Sequence, residues 1–302
     1  WSHLAPYQVT FNGLAKRLSD GKKLGIESVS LEGGWEVPRL VVNKYEARFD
    51  EGGATGSAEL DIVTRLAKAT NRTDFDFHKI IDLLTPKAQR WIRQYEWAEA
   101  PIVEATVKAK LPEWSNENPD WRKEVRPTMT IEGKVNSGPV TFRGIQVDAV
   151  ESDLGYANLT WSLPNLVAKR PEGEVRFAMR SHTESQDFYF DFHSTIDPHA
   201  IQPALENERQ KKGFAYFDFD QTPVIEGQIW GRWRERELTG FRASVAATNF
   251  MFRAQQVDRL TAGLMLTNGV LHATNAVLNR PEGKATLEAL GYDVGTKRLF
   301  LT

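Results

Sequence analysis

The 32 residues from Phe142 to Gly173, FRGIQVDAVESDLGYANLTWSLPNLVAKRPEG, align without a gap on Phe252 to Gly283, FRAQQVDRLTAGLMLTNGVLHATNAVLNRPEG. The offset is 110 residues and thirteen of the 32 positions are identical, among them Phe142/Phe252, Arg143/Arg253, Val147/Val257, Asp148/Asp258 and the whole Arg-Pro-Glu-Gly turn. A period this long excludes the short solenoid repeats and means that one unit of about 110 residues recurs along the chain.

Inside the repeat, apolar and polar residues alternate in Val103 to Leu111, Val175 to Met179, Phe188 to Phe192, Phe217 to Phe219, Phe241 to Phe252 and Ala285 to Ala289. Such alternation marks half-buried strands. Turn formers separate them, including Asn136-Ser137-Gly138, Asn268-Gly269 and Pro281-Glu282-Gly283. The expected fold is therefore mainly β: an elongated antiparallel meander or groove built from repeats of about 110 residues, with short helices packed across it. Three stretches are expected in one continuous sheet. They are a partial unit over 1–74, a unit over 75–189 with a helix at about 86–97, and a unit over 190–302, truncated at its end, with a helix at about 198–212. Thr85-Pro86 and Asp197-Pro198 are the expected helix starts.

A tetrapeptide, Phe-Asp-Phe-His, occurs at Phe75–His78 and again at Phe190–His193. On a strand, Asp74, Asp76 and His78 would share one face, and two carboxylates with an imidazole suit a transition metal. The second copy carries Tyr189 where the first has Asp74, and a ligand set should not lose a carboxylate between copies. The motif is therefore read as two equivalent strands, with Phe75, Phe77, Phe190 and Phe192 turned to the core and Asp76, His78, Asp191 and His193 turned outward. No metal and no other cofactor is expected.

The 38 Lys and Arg residues are interspersed with 40 Asp and Glu, for a formal net charge of -2. No nucleic-acid footprint is present in that pattern. Cysteine is absent, which excludes thiol chemistry and disulfides. No phosphate loop, His-Glu-x-x-His pair or Gly-x-Ser-x-Gly elbow occurs, so no catalytic residue is assigned and no enzyme is expected. No apolar run reaches the roughly 20 residues of a membrane-spanning helix. The chain opens at Trp1 without a methionine and stops inside the alternating KRLFLT, which reads as an excerpt from a longer protein whose anchor, if any, lies elsewhere.

The stretch from Leu238 to Thr302 and the stretch LPNLVAKRPEGEVRFAMRSHTESQDFYFDFH resemble the repeating strands of the AsmA-like family of bacterial cell-envelope proteins. The shared feature is a cadence: a small-residue strand, an apolar-polar strand ending in Asn, a Gly turn, then another strand. The resemblance covers most of Leu24 to Thr302. It implies a periplasmic or cell-envelope location, a β-groove that carries phospholipid or another acyl-chain ligand in outer-membrane biogenesis, and neighbouring repeats of a longer chain as partners.

Physics makes a matching demand, since a meander with one apolar face must cover it with a second sheet, with helices or with a ligand. If the sheet stays open, the strand from Phe241 to Phe252 lines it with Phe241, Ala243, Val245 and Ala247 or with Phe250 and Phe252, depending on where a bulge shifts the register. The alternative is a repetitive periplasmic or surface module that binds glycan or protein through exposed aromatics. Trp230 and Trp233 are its candidates, because indole stacking beside arginines suits a sugar or an anionic group.

Overall fold

The computed structural model describes residues 8–19, 25–205, 208–293 and 295–301. The chain is mainly β, 65% strand and 12% helix, and eighteen strands lie in antiparallel sheet that does not close on itself. Backbone contacts divide it into unit 1, Trp1–Val140 with Glu151–Trp161, and unit 2, Thr141–Val150 with Ser162–Thr302.

In unit 1, strands β1 (Gln8–Ser19), β2 (Gly25–Glu36), β3 (Arg39–Phe49), β4 (Gly53–Asp61) and β5 (Leu66–Thr73) pair in chain order. The chain then leaves the sheet through a 3₁₀ helix (Phe77–Leu83), helix α1 (Pro86–Ile92) and strand β6 (Tyr95–Trp97). It returns as β7 (Ile102–Lys110) on the free side of β5. Helix α2 (Trp121–Glu124) and a 3₁₀ turn (Arg126–Thr128) lead to β8 (Thr130–Ser137), which pairs with β7. Next in the chain come β9 (Val140–Phe142), β10 (Ile145–Val147), β11 (Ala149–Ala157) and β12 (Thr160–Arg170).

Unit 2 repeats the plan. Strands β13 (Gly173–His182) and β14 (Asp187–Ser194) pair, a 3₁₀ helix (Pro198–Ala204) and helix α3 (Glu208–Phe214) leave the sheet, and β15 (Phe217–Phe219) pairs along its edge with Phe250–Phe252. The chain comes back as β16 (Val224–Arg232) beside β14. Strands β17 (Glu235–Phe252), β18 (Gln255–Thr267), β19 (Val270–Arg280), β20 (Gly283–Asp293) and β21 (Arg298–Leu301) complete a meander.

The backbone carries the period as well as the letters do. Arg143 and Arg253 have φ of 50° and 51°, and Asn158 and Asn268 have 49° and 50°, each pair 110 residues apart. Asn158-Leu159 and Asn268-Gly269 are two-residue turns with both φ positive, the geometry that matches the twist of a tight hairpin. Earlier strands follow a longer spacing: Leu66–Thr73 corresponds to Asp187–Ser194, 121 residues on, and Ile102–Lys110 to Val224–Arg232, 122 on. Residues 111–129, which hold α2 and the second 3₁₀ turn, account for the difference. In unit 2 the turn Trp233-Arg234 and the first five residues of β17, 235–239, stand in their place.

Two expectations are corrected. The Phe-Asp-Phe-His copies are not equivalent, because β5 ends at Thr73 whereas Phe190–His193 lies inside β14. Asp76 caps the 3₁₀ helix instead, its Oδ1 accepting the His78 N–H at 2.9 Å, and the true counterpart is Asp197, which accepts the His199 N–H at 2.9 Å. A side chain that captures a backbone N–H two residues on turns the chain out of the sheet. Asp76 and His78 are accordingly half-buried, not outward-facing, while Asp191 is exposed. The helices are also shorter than expected. Helix α1 stops at Ile92 and the aromatic Tyr95–Trp97 become a strand; the 198–212 region breaks into a 3₁₀ helix and α3, with Pro203 inside the first.

The excursions close one end of each sheet. In unit 2, Ala247, Phe250 and Val257 are 3%, 1% and 3% exposed, with Phe217, Phe219, Leu260 and Leu278 packed on them. In unit 1, Phe75 is buried against Phe49, ring centroids 4.6 Å apart, and Ile92 of α1 is buried too.

Candidate functional site: an uncovered apolar sheet face

Cross-strand register decides which side chains share a face. In unit 1 it lines up Leu40, Leu60, Ala67 and Ala109 in one row, then Val42, Ala58, Ala69, Val107 and Ile131, then Tyr45, Gly56, Asn71, Ala105 and Gly133. A bulge in β3 between Val42 and Tyr45 keeps both on this face. None of these residues is charged, and all are half-buried. The opposite face is a ladder of charges, with Thr55, Arg72, Glu104 and Lys134 in one row and Glu59, Lys68 and Lys108 in another. Arg72 pairs with Glu104 across it.

Unit 2 is built alike. Met179, Phe190, Ile229, Phe241 and Leu266 form one row, and Phe177, Phe192, Gly227, Ala243 and Leu264 the next. On the other face, His193 Nδ1 lies 2.9 Å from Glu226, Gln228 donates to Asp191 at 3.0 Å, and Arg242 donates to Gln228 at 2.8 Å.

Most of the apolar face has no layer over it. The accessible surface totals 19725 Å². A compact monomer of 34.2 kDa has about 13,000 Å², and even two separate compact halves would expose only about 15,500 Å². Among the described residues the buried apolar side chains are few, and those of β17 and β18 lie at the capped end. In unit 1 the open face dips into a shallow apolar trough of about 190 Å³, lined chiefly by Leu40, Val42, Ala58, Leu60, Ala69 and Val107.

Asn249, at φ 48°, lets both sequence alternatives for β17 share one side of the sheet. Ala247, the last of the odd-numbered set, and the even-numbered Phe250 meet in the same cluster. Phe241, Ala243 and Val245 are half-buried on the open stretch, Ala247 and Phe250 lie in the capped core, and Phe252 is 38% exposed beside Phe217. The two tryptophans point to opposite faces. Trp230 stands beside Tyr189 and over Gly240 on the charged face, whereas Trp233 stacks on Phe188 at 4.4 Å and donates to Ser181 Oγ at 3.0 Å on the apolar one. One ligand cannot stack on both.

Asp76 is the most structured acid in the caps. Burial raises its pKa, but the His78 N–H, the His78 ring and the Trp97 indole at 3.0 Å together outweigh that and hold it below the ordinary aspartate value. Burial pushes the neighbouring Tyr95 phenol up to about 12. Among the described residues no group of three or more His, Cys, Asp or Glu could hold a metal ion, and no helix is long and apolar enough to cross a membrane.

The trough of unit 1, with Tyr45 and Asn71 beside it, was not singled out from sequence. The alternation of Ala67-Lys68-Ala69 and Val107-Lys108-Ala109 is the signal that points to it. No family model, no curated protein and no solved structure matches the chain.

Proposed function

We propose that the chain is a non-enzymatic lipid-handling segment whose uncovered apolar face holds the acyl chains of phospholipid or a related ligand. The observation that carries this reading is the charge-free face in each unit, left half-buried while the opposite face is laddered with charge. Water against that face is costly, and each methylene buried there gains about 0.8 kcal/mol. The cadence shared with AsmA-like envelope proteins supports a place in the periplasm and a role in outer-membrane biogenesis. The glycan or protein module is less well supported, because Trp230 and Trp233 stand on opposite sides of the sheet.

Native mass spectrometry of the purified chain tests the reading. Adducts with the masses of phospholipid, released by organic extraction, are expected. A chain that purifies without lipid and takes none up from phospholipid micelles would sink it.

A further inference from the structure

One row of the unit 1 face is not purely apolar. Tyr45 leans over Gly56, where an added Cβ would strike the Thr70 carbonyl of the next strand and would also meet the Tyr45 hydroxyl at 2.6 Å and its ring at 2.7 Å, so glycine serves both the close strand and the ring. The phenol crosses β4 and donates to Asn71 Oδ1 on β5 at 2.6 Å. Burial raises the Tyr45 pKa, which keeps that hydroxyl a donor. With Oδ1 engaged, the amide nitrogen of Asn71 has no partner among the described residues. It carries two N–H donors on a half-buried side chain amid Gly56, Ala69 and Ala105.

The trough begins in the adjoining row. Ala58, Ala69 and Val107 belong to its lining, and Ala69 is two residues from Asn71 on the same side of β5, about 7 Å along the strand. An apolar chain in the trough therefore ends beside a fixed hydrogen-bond donor. A plain hydrocarbon leaves that donor unpaired in an otherwise dry contact, at a cost. A chain that ends in an ester carbonyl satisfies it.

We propose that Tyr45 and Asn71 form a polar clasp at the head of the unit 1 trough that binds the ester carbonyl of an acyl lipid. Tyr45 orients the amide, Asn71 donates, and Gly56 makes room. The proposal rests on the lipid-handling reading and adds the linkage that this site recognises.

The test compares two phosphatidylcholines with the same sixteen-carbon chains, one joined through esters and one through ethers, titrated against the full chain. A neutral hydrogen bond favours the ester lipid by about three- to tenfold. Asn71→Ala is expected to abolish the preference while keeping affinity for the ether lipid, and Tyr45→Phe to reduce it. Melting curves of both variants check that the sheet is intact. Equal affinity of the unaltered chain for the two lipids, or an undiminished preference in Asn71→Ala, overturns the clasp and leaves the lipid reading standing. Binding of neither lipid overturns both.

Discussion

At matching positions of the two units, β5 turns Ala67, Ala69 and Asn71 to the apolar face where β14 turns Phe188, Phe190 and Phe192. The neighbouring strands keep the same backbone and register, with Ala105 and Val107 on β7 corresponding to Gly227 and Ile229 on β16. In unit 2 the rings fill their own lane: Phe188 lies 5.6 Å from Phe190, and Phe190 lies 6.3 Å from Phe177. A closed sandwich does not absorb three such exchanges without compensation opposite, because its inner faces interdigitate at crystal-like density. The difference teaches that the middle of this face is not shaped to fit another protein layer. The capped ends differ less, with Phe75 and Ile196, at matching positions, each 5% exposed.

The largest effect is therefore expected at a cap. Phe250→Ala removes a side chain that is 1% exposed and leaves a cavity among Phe217, Phe219 and Val257. It should destabilise unit 2 by about 3–5 kcal/mol. Urea unfolding measures this, and a loss under 1 kcal/mol would show that the cap is no firmer than the open face.

Val245→Asp, two positions before Ala247 of the capped core on the same strand, comes next. On an open wall the new carboxylate stays wet and costs no more than about 1–2 kcal/mol, against several for unpaired burial under a second layer. Lipid loading should fall while the fold survives. A collapsed melting temperature, with no lipid on the parent chain, would mean that the face is closed.

Ala69→Phe makes unit 1 resemble unit 2 directly. With nothing packed opposite, stability should change by less than about 1 kcal/mol, whereas overpacking a filled core costs about 1–3 kcal/mol. The trough would be occupied by the ring, so uptake of lipid by unit 1 should drop. A large destabilisation here would break the comparison between the units.

The same exchanges explain what the sequence made legible. The 110-residue period from Phe142 could be read because it spans turns such as Asn158-Leu159 and Asn268-Gly269, whose positive φ restricts the residues allowed. Strands could be read from alternation. The 121-residue relation of β5 to β14 could not, because Ala-to-Phe exchanges on an uncovered face erase similarity without disturbing the backbone. Phe-Asp-Phe-His misled for the converse reason. Identical letters sit in β14 and before a 3₁₀ helix, and what separates them is a cap hydrogen bond that local composition does not reveal. Alternation places Val245 on a face, but it does not say whether anything covers that face.

The smallest effect concerns the caps, where the units differ in one donor. Asp76 and Asp197 both accept from a histidine two residues on, but only Asp76 is also shown holding an indole, that of Trp97. Replacing either by alanine removes an N-cap worth about 1 kcal/mol, and at Asp76 the half-buried indole N–H loses its acceptor as well. The Asp76 pKa lies below its ordinary value of 3.8, so the folded state binds its proton less readily than the unfolded state. Its contribution is complete above about pH 4 and is lost as acid takes the pH down through the lowered value. Asp76→Asn keeps an acceptor but cannot titrate, and it should flatten the acid limb of the stability profile while changing stability at pH 7 by about 1 kcal/mol or less. Melting temperatures of the two proteins from pH 7 to pH 3 measure this. Parallel profiles would show that the extra donor has no energetic consequence and that the two caps are equivalent.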